Sequence, residues 1–184
     1  MKLFYKIFII VFIIIISYSI YEQVNNSKKI KRVNCQNKTI TFEKIFSIEN
    51  NKNLLEAKEL LQSNNYTLLS EIEYSKNMKS NLITILSKKQ ADEKLNKVIS
   101  NYTKENKVAN KSLYIDYYIY ENDKEDKGKK GKKSKLYAGY LVFEFKYKNQ
   151  LLYKIQTDYM DINASDIEER MNCVIKSFLS INNK

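Results

Sequence analysis

Any chemistry in this chain must come from lysine, carboxylates, tyrosine and two cysteines, because it contains no histidine. That absence removes Ser-His-Asp and Cys-His hydrolases, His-ligated zinc and most general-base chemistry near neutral pH. The only glycines are Gly128, Gly131 and Gly139. A phosphate-cradling loop or a dinucleotide fingerprint needs several glycines at a strand-to-helix turn, and these three cannot supply one. Two cysteines cannot build a thiolate cage for zinc. No catalytic residue, cofactor or metal is expected.

Three constellations remain. Cys35 and Cys173 either pair in an oxidising compartment, closing a long loop worth about 3–5 kcal/mol, or stand apart as a linker thiol and a packed helix residue. Lys129, Lys130, Lys132 and Lys133 lie in the low-complexity run Glu121 to Lys135, acidic first and basic second. They suit a basic finger on phosphates or an acidic partner; the plainer reading is a solvated insertion. Asp161-Ile162-Asn163-Ala164-Ser165 fits the bacterial N-glycosylation acceptor pattern, and equally places a polar residue at a helix entry.

The net charge of +11 raises nucleic acid, anionic lipid and acidic polymers as partners. Of the basic residues only Arg32 and Arg170 are arginine. Readers of nucleic acid lean on arginine for bidentate contacts, so nucleic acid is disfavoured and the lysine excess is read as compositional bias.

A membrane is addressed more directly. Lys2 and Lys6 precede an unbroken apolar run from Ile7 to Ile16. The run is the length of a signal-peptide core and short of the roughly 20 residues of a spanning helix; its flanks stretch it to a marginal span. Residues 1–21 are read as a signal-anchor or signal peptide, 22–38 as a polar basic linker and 39–184 as one α+β domain. The signal-like layout favours export of the carboxy-terminal part. Lys28, Lys29, Lys31 and Arg32 behind the run argue for the cytoplasm. The expectation is a single-pass inner-membrane protein with its domain outside the cytoplasm, the alternative being secretion to the periplasm after cleavage.

The elements that must position these groups follow from hydrophobic period. Ile40, Phe42, Phe46 and Ile48 share a parity and predict a half-buried strand. Asn53-Leu54-Leu55-Glu56 reads as a capping box opening a helix to about Ser63. Strands are expected over Tyr66 to Tyr74, Leu82 to Leu86 and Ser112 to Tyr120. A helix opened by Ser87 and Gln90 carries Ala91, Leu95, Val98, Ile99 and Tyr102 on one stripe. Leu136 to Lys148 and Leu151 to Met160 are the strongest strand signals, and Tyr147-Lys148-Asn149-Gln150 between them predicts a tight turn with Asn149 left-handed. Ser165-Asp166-Ile167-Glu168 reads as a third capping box, before a helix with Ile167, Met171, Val174, Phe178 and Ile181 inward. The fold class is α+β: a mostly antiparallel sheet of five to six strands packed against two or three helices, preceded by an N-terminal hydrophobic helix. One sheet face is apolar, and the other is wet and rich in tyrosine, a surface able to bind a partner.

The segments Gly139 to Phe145, Leu151 to Asp158 and Asp166 to Phe178 match a strand, strand and helix that close small α+β domains. In these segments and in element order the chain resembles domains of uncharacterised bacterial envelope lipoproteins. It departs from them in having no lipobox. The resemblance implies an envelope protein and brings no catalytic residues with it. The expected function is a non-enzymatic, membrane-tethered envelope protein binding another envelope component. The alternative is a membrane-surface module whose lysine clusters hold anionic lipid or nucleic acid.

Overall fold

A computed structural model describes residues 31–46, 51–105, 109–128 and 136–181. The expected N-terminal helix lies outside the described residues, as do Lys129, Lys130, Lys132 and Lys133. Residues 33–184 form one compact unit. Its element order is β1 (Thr41–Ile45), α1 (Asn51–Gln62), β2 (Tyr66–Glu73), α2 (Leu82–Ile85), α3 (Lys88–Ser100), β3 (Leu113–Glu121), β4 (Gly139–Tyr147), β5 (Gln150–Tyr159) and α4 (Ile167–Leu179). A 3-10 turn, Asn34–Asn37, precedes β1. The class is α+β, with a five-stranded mixed sheet ordered β1-β5-β4-β3-β2.

Alternation drives the central strands. Leu113, Ile115, Tyr117 and Ile119 of β3, Leu141, Phe143, Phe145 and Tyr147 of β4, and Tyr153, Ile155 and Tyr159 of β5 are all buried. β4 and β5 join through a two-residue turn in which Lys148 and Asn149 both take positive φ, 50° and 59°. That pair of left-handed residues matches the strands' right-handed twist. β2 and β3 run parallel, so a crossover must join them, and α3 lies within it. Ser87 opens α3 with a capping box: its Oγ accepts from Gln90 N at 3.3 Å, and Gln90 Oε1 accepts from Ser87 N at 2.8 Å.

The helices pack on one face of this sheet. Leu54, Ala57 and Leu61 of α1, Leu95 and Ile99 of α3, and Met171, Val174 and Phe178 of α4 share a single core with the inward strand residues. Phe178 stacks on Phe145 with ring centroids 4.1 Å apart.

Four local expectations are corrected. Leu82 to Leu86 is a helical turn, not a strand. Glu121 at the end of β3 accepts from Asn81 N and Leu82 N at 2.9 and 3.0 Å, holding the turn's first amides, and Leu82 and Leu86 are buried at i, i+4. β1 faces the opposite way: Ile40 and Phe42 are 58% and 65% exposed, while Thr41 is buried. Polar satisfaction decides that parity, because Glu43 accepts from Gln36 Nε2 and the Tyr153 hydroxyl, and Thr41 meets Thr157. Asn53 does not cap α1, which begins at Asn51; it ties the helix to the β4–β5 turn through Gln150 and Lys148. The N-cap of α4 is Asp166, whose carboxylate accepts backward from Met160 N and Asp161 N, while the Ser165 hydroxyl bonds Asp161.

Candidate functional site

With the helices on one side, the strand register fixes a grid on the other. One row reads Glu73, Tyr120, Tyr140, Asp158 across β2, β3, β4 and β5. The next reads Glu71, Tyr118, Val142, Gln156 and reaches Phe42 on β1. The third reads Leu69, Asp116, Glu144, Lys154, Lys44, and the fourth Thr67, Tyr114, Lys146. Among the described residues no helix covers this face. Leu69 is 51% exposed and Tyr114 46%.

The two halves of the grid differ electrostatically. In the third and fourth rows Asp116 and Glu144 pair with Lys146 and Lys154, while Lys44 lies over the Phe46 ring. Lys146 Nζ lies 2.7 Å from Glu144 and 3.0 Å from Asp116, and Lys154 Nζ lies 2.7 Å from Glu144. Those two lysines hold the Glu144 carboxyl below its ordinary value, and the two carboxylates raise Lys146 in return. The first two rows hold Glu71, Glu73 and Asp158 and no basic residue. Their tyrosines cluster: Tyr120 stacks on Tyr140 at 4.7 Å between centroids, and Tyr118 meets Tyr140 edge-on at 6.2 Å. Burial, with Tyr118, Tyr120 and Glu73 adding like charge, pushes the Tyr140 hydroxyl up to about 12. Asp158 is 5% exposed, its side chain has no hydrogen-bond or ionic partner among the described residues, and burial pushes its carboxyl up to about 6.

At the end of β3 the triplet Glu121-Asn122-Asp123 is buried and committed to structure. Glu121 also accepts from Ser75 N and the Ser80 hydroxyl, and Asp123 accepts from Lys76 N and Asn77 N. Asn122 donates its backbone N–H to Ala138 O and its amide to Tyr137 O. The foot of the lysine-rich segment is thus fixed to β4. An open groove of about 640 Å³ lies between α1 and residues 104, 105 and 109–111, and its Glu56 is spoken for. Lys148 and Tyr147 hydrogen-bond that carboxyl and lower it to about 2.

Cys35 and Cys173 are joined by a disulfide, with Cα atoms 5.7 Å apart. Beside it Gln36 donates to Ser177 Oγ at 3.0 Å and to Glu43 at 2.9 Å. The end of what reads as linker is therefore pinned to α4 and β1. Asn163 is exposed and donates its backbone N–H to Asp161. No cluster of three metal-ligating side chains and no helix long and apolar enough to cross a membrane occurs among the described residues.

The alternation of Tyr114, Asp116, Tyr118 and Tyr120 already points to an exposed aromatic face. The alternation of Lys154, Gln156 and Asp158 with Tyr153, Ile155, Thr157 and Tyr159 likewise puts Asp158 on the wet face, whereas sequence reasoning missed Glu71 and Glu73 beside it, because strand order alone brings them together. Their parity relative to Leu68 and Ile72 was the available signal. No protein-family model matches this chain, and no curated protein or solved structure matches it.

Proposed function

We propose that this protein is a non-enzymatic, membrane-tethered module working outside the cytoplasm, where it docks another envelope component on the open face of its sheet. The observation that carries the reading is that face: four tyrosines, Leu69 and Phe42 stand on a sheet whose described helices pack behind it. Tyrosine brings a large, stiff, amphipathic contact area at low entropic cost, which suits docking. Two features support the location. The basic start and apolar run fit an export signal or anchor. A disulfide between Cys35 and Cys173 persists in oxidising compartments and is rare in reducing ones.

Two measurements test it in the native host. An alkaline-phosphatase fusion after Lys184 should be active, and a cytoplasmic reporter there silent. A photo-crosslinking residue at Tyr118 should capture a discrete partner that the same residue at Lys89, on exposed α3 surface, does not. The inverse reporter pattern refutes the location. Identical adducts from both positions refute the docking face.

A further inference from the structure

The residue grid on the open face resolves what kind of group that face takes, provided that it docks a partner at all. The whole chain is strongly basic, +11, yet two adjacent rows of its open face carry three carboxylates and no cation. Glu71 and Glu73 are exposed on β2, an edge strand, while Asp158 is nine-tenths buried at the far end of the first row. Between them lie the Tyr118, Tyr120 and Tyr140 rings, whose π faces attract cations. Asp158 has no donor or counter-charge among the described residues, and a largely buried carboxylate left in that state is costly. Two cationic heads carried across these rings would reach Asp158 at one end and the β2 glutamates at the other, three strand spacings or about 14 Å apart. The neighbouring rows show what the sheet does where no ligand is wanted: Asp116, Glu144, Lys146 and Lys154 neutralise one another.

We infer that the patch formed by Glu71, Glu73, Tyr118, Tyr120, Tyr140 and Asp158 binds a lysine- or arginine-bearing segment of a partner protein. The carboxylates attract and fix the cationic heads, and the rings cover the aliphatic stems. A stem with a charged tip matches a surface that is aromatic in the middle and acidic at its ends. Burial of Asp158 adds selectivity for a cation over a neutral donor, since only a cation relieves its ionised form fully.

The test uses the full-length chain in a zwitterionic detergent, with capped hexalysine as the probe and capped hexaglutamate as the control. Binding is followed by the aromatic NMR signals of the tyrosines. Hexalysine should shift Tyr118, Tyr120 and Tyr140, with an affinity that falls as salt rises, and hexaglutamate should not. E71Q/E73Q/D158N should weaken hexalysine about tenfold or more, as loss of three attracting charges implies. Y140L keeps bulk and loses the π face, and should weaken it about threefold. E93Q, on the exposed surface of α3 behind the sheet, should leave affinity unchanged. Equal hexalysine affinity in wild type and the triple variant overturns the inference. So does binding that appears only when Lys129, Lys130, Lys132 and Lys133 are changed to Gln, which would assign the patch to the chain's own lysines. If the Tyr118 crosslinker captures a partner in cells while hexalysine fails to bind, the docking face stands and its cationic chemistry falls.

Discussion

Replacing Asp158 by asparagine should make this protein more stable at pH 7, and the gain should vanish in acid. Asp158 shares the open face with Gln156 along β5, faces Tyr140 across the β4 ladder, and lies beside Ile40 on the β1 side. Tyr120 and Glu73 continue its row, so the only other carboxylate in that row repels it weakly from the opposite edge. Burial displaces its carboxyl from 3.8 to about 6. Each factor of ten in an acid constant is worth about 1.4 kcal/mol, so the ionised form costs the fold about 3 kcal/mol. That figure is a ceiling, because water penetration and side-chain movement relieve part of the burial. Below about pH 4 the carboxyl is protonated in both folded and unfolded chains and costs nothing. Between about pH 4 and pH 6 the unfolded chain ionises first, so stability falls as pH rises. Above about pH 6 the full penalty applies. Asparagine has nearly the same shape and no charge, so D158N should raise Tm at pH 7 by up to about 6–12 °C for a chain of this size. Urea unfolding of wild type and D158N at several pH values, followed by circular dichroism, reads the difference directly. A gap that is absent at pH 7, or that does not close toward pH 4, would refute the argument.

Phe178→Ala should cost about 3–5 kcal/mol in the same unfolding assay, because the ring is fully buried against Phe145 and Tyr153; a loss under about 1 kcal/mol would place that helix face outside the core. The double change of Cys35 and Cys173 to serine opens a loop with a sequence separation of 138 and should cost up to about 5 kcal/mol, with reductant lowering wild-type stability by a similar amount. Gly139→Ala should abolish folding or shift the midpoint drastically, since a Cβ there meets the Tyr120 carbonyl oxygen and the Tyr159 ring; an unchanged circular dichroism melt would contradict that close approach. Changing Lys129, Lys130, Lys132 and Lys133 to Gln should reduce salt-sensitive retention on immobilised polyphosphate if these lysines grip anions, and equal retention would make the segment a solvated insertion.

Elements whose signal is local were legible in the sequence. The stripes of α3 and α4 and the alternation of β3, β4 and β5 are periodic over two or more turns or pleats, and each buries the face its pattern marks. The turn between β4 and β5 is equally local, with Asn149 left-handed as its type suggests; positive φ at Lys148 was not legible. What escaped was decided by partners distant in the chain. Leu82 to Leu86 is apolar throughout, so period cannot separate strand from helix, and Glu121 settles it from the end of β3. Ile40 and Phe42 look like inward residues until Gln36 and Tyr153 are seen to claim Glu43 on the other side of β1. Asn53 looks like a cap until Gln150 and Lys148 arrive beside it. The same limit applies to the candidate site. Its tyrosines can be read from parity within one strand, whereas the company of Glu73 and Asp158 depends on the order β5-β4-β3-β2.

The constraints on this domain are concentrated behind the sheet, and that arrangement bears on the proposed docking. Chain entry at Val33 is held by Gln36, whose partners Glu43 and Ser177 lie on the helix side, and by the disulfide to α4. A load applied through the chain before Val33 would pass into α4 and β1. Both are clamped to the core, covalently or through polar contacts. The 75–82 segment is likewise gripped from the end of β3 by Glu121 and Asp123. The open face is tied differently among the described residues. Its ion pairs lie in two rows, and the other two leave Asp158 unsatisfied among the described residues. A protein stabilised for its own sake would have an asparagine or a lysine neighbour there. Retaining a carboxylate that costs stability at neutral pH, on a face that no described helix covers, is the pattern expected where binding rather than folding has set the residue.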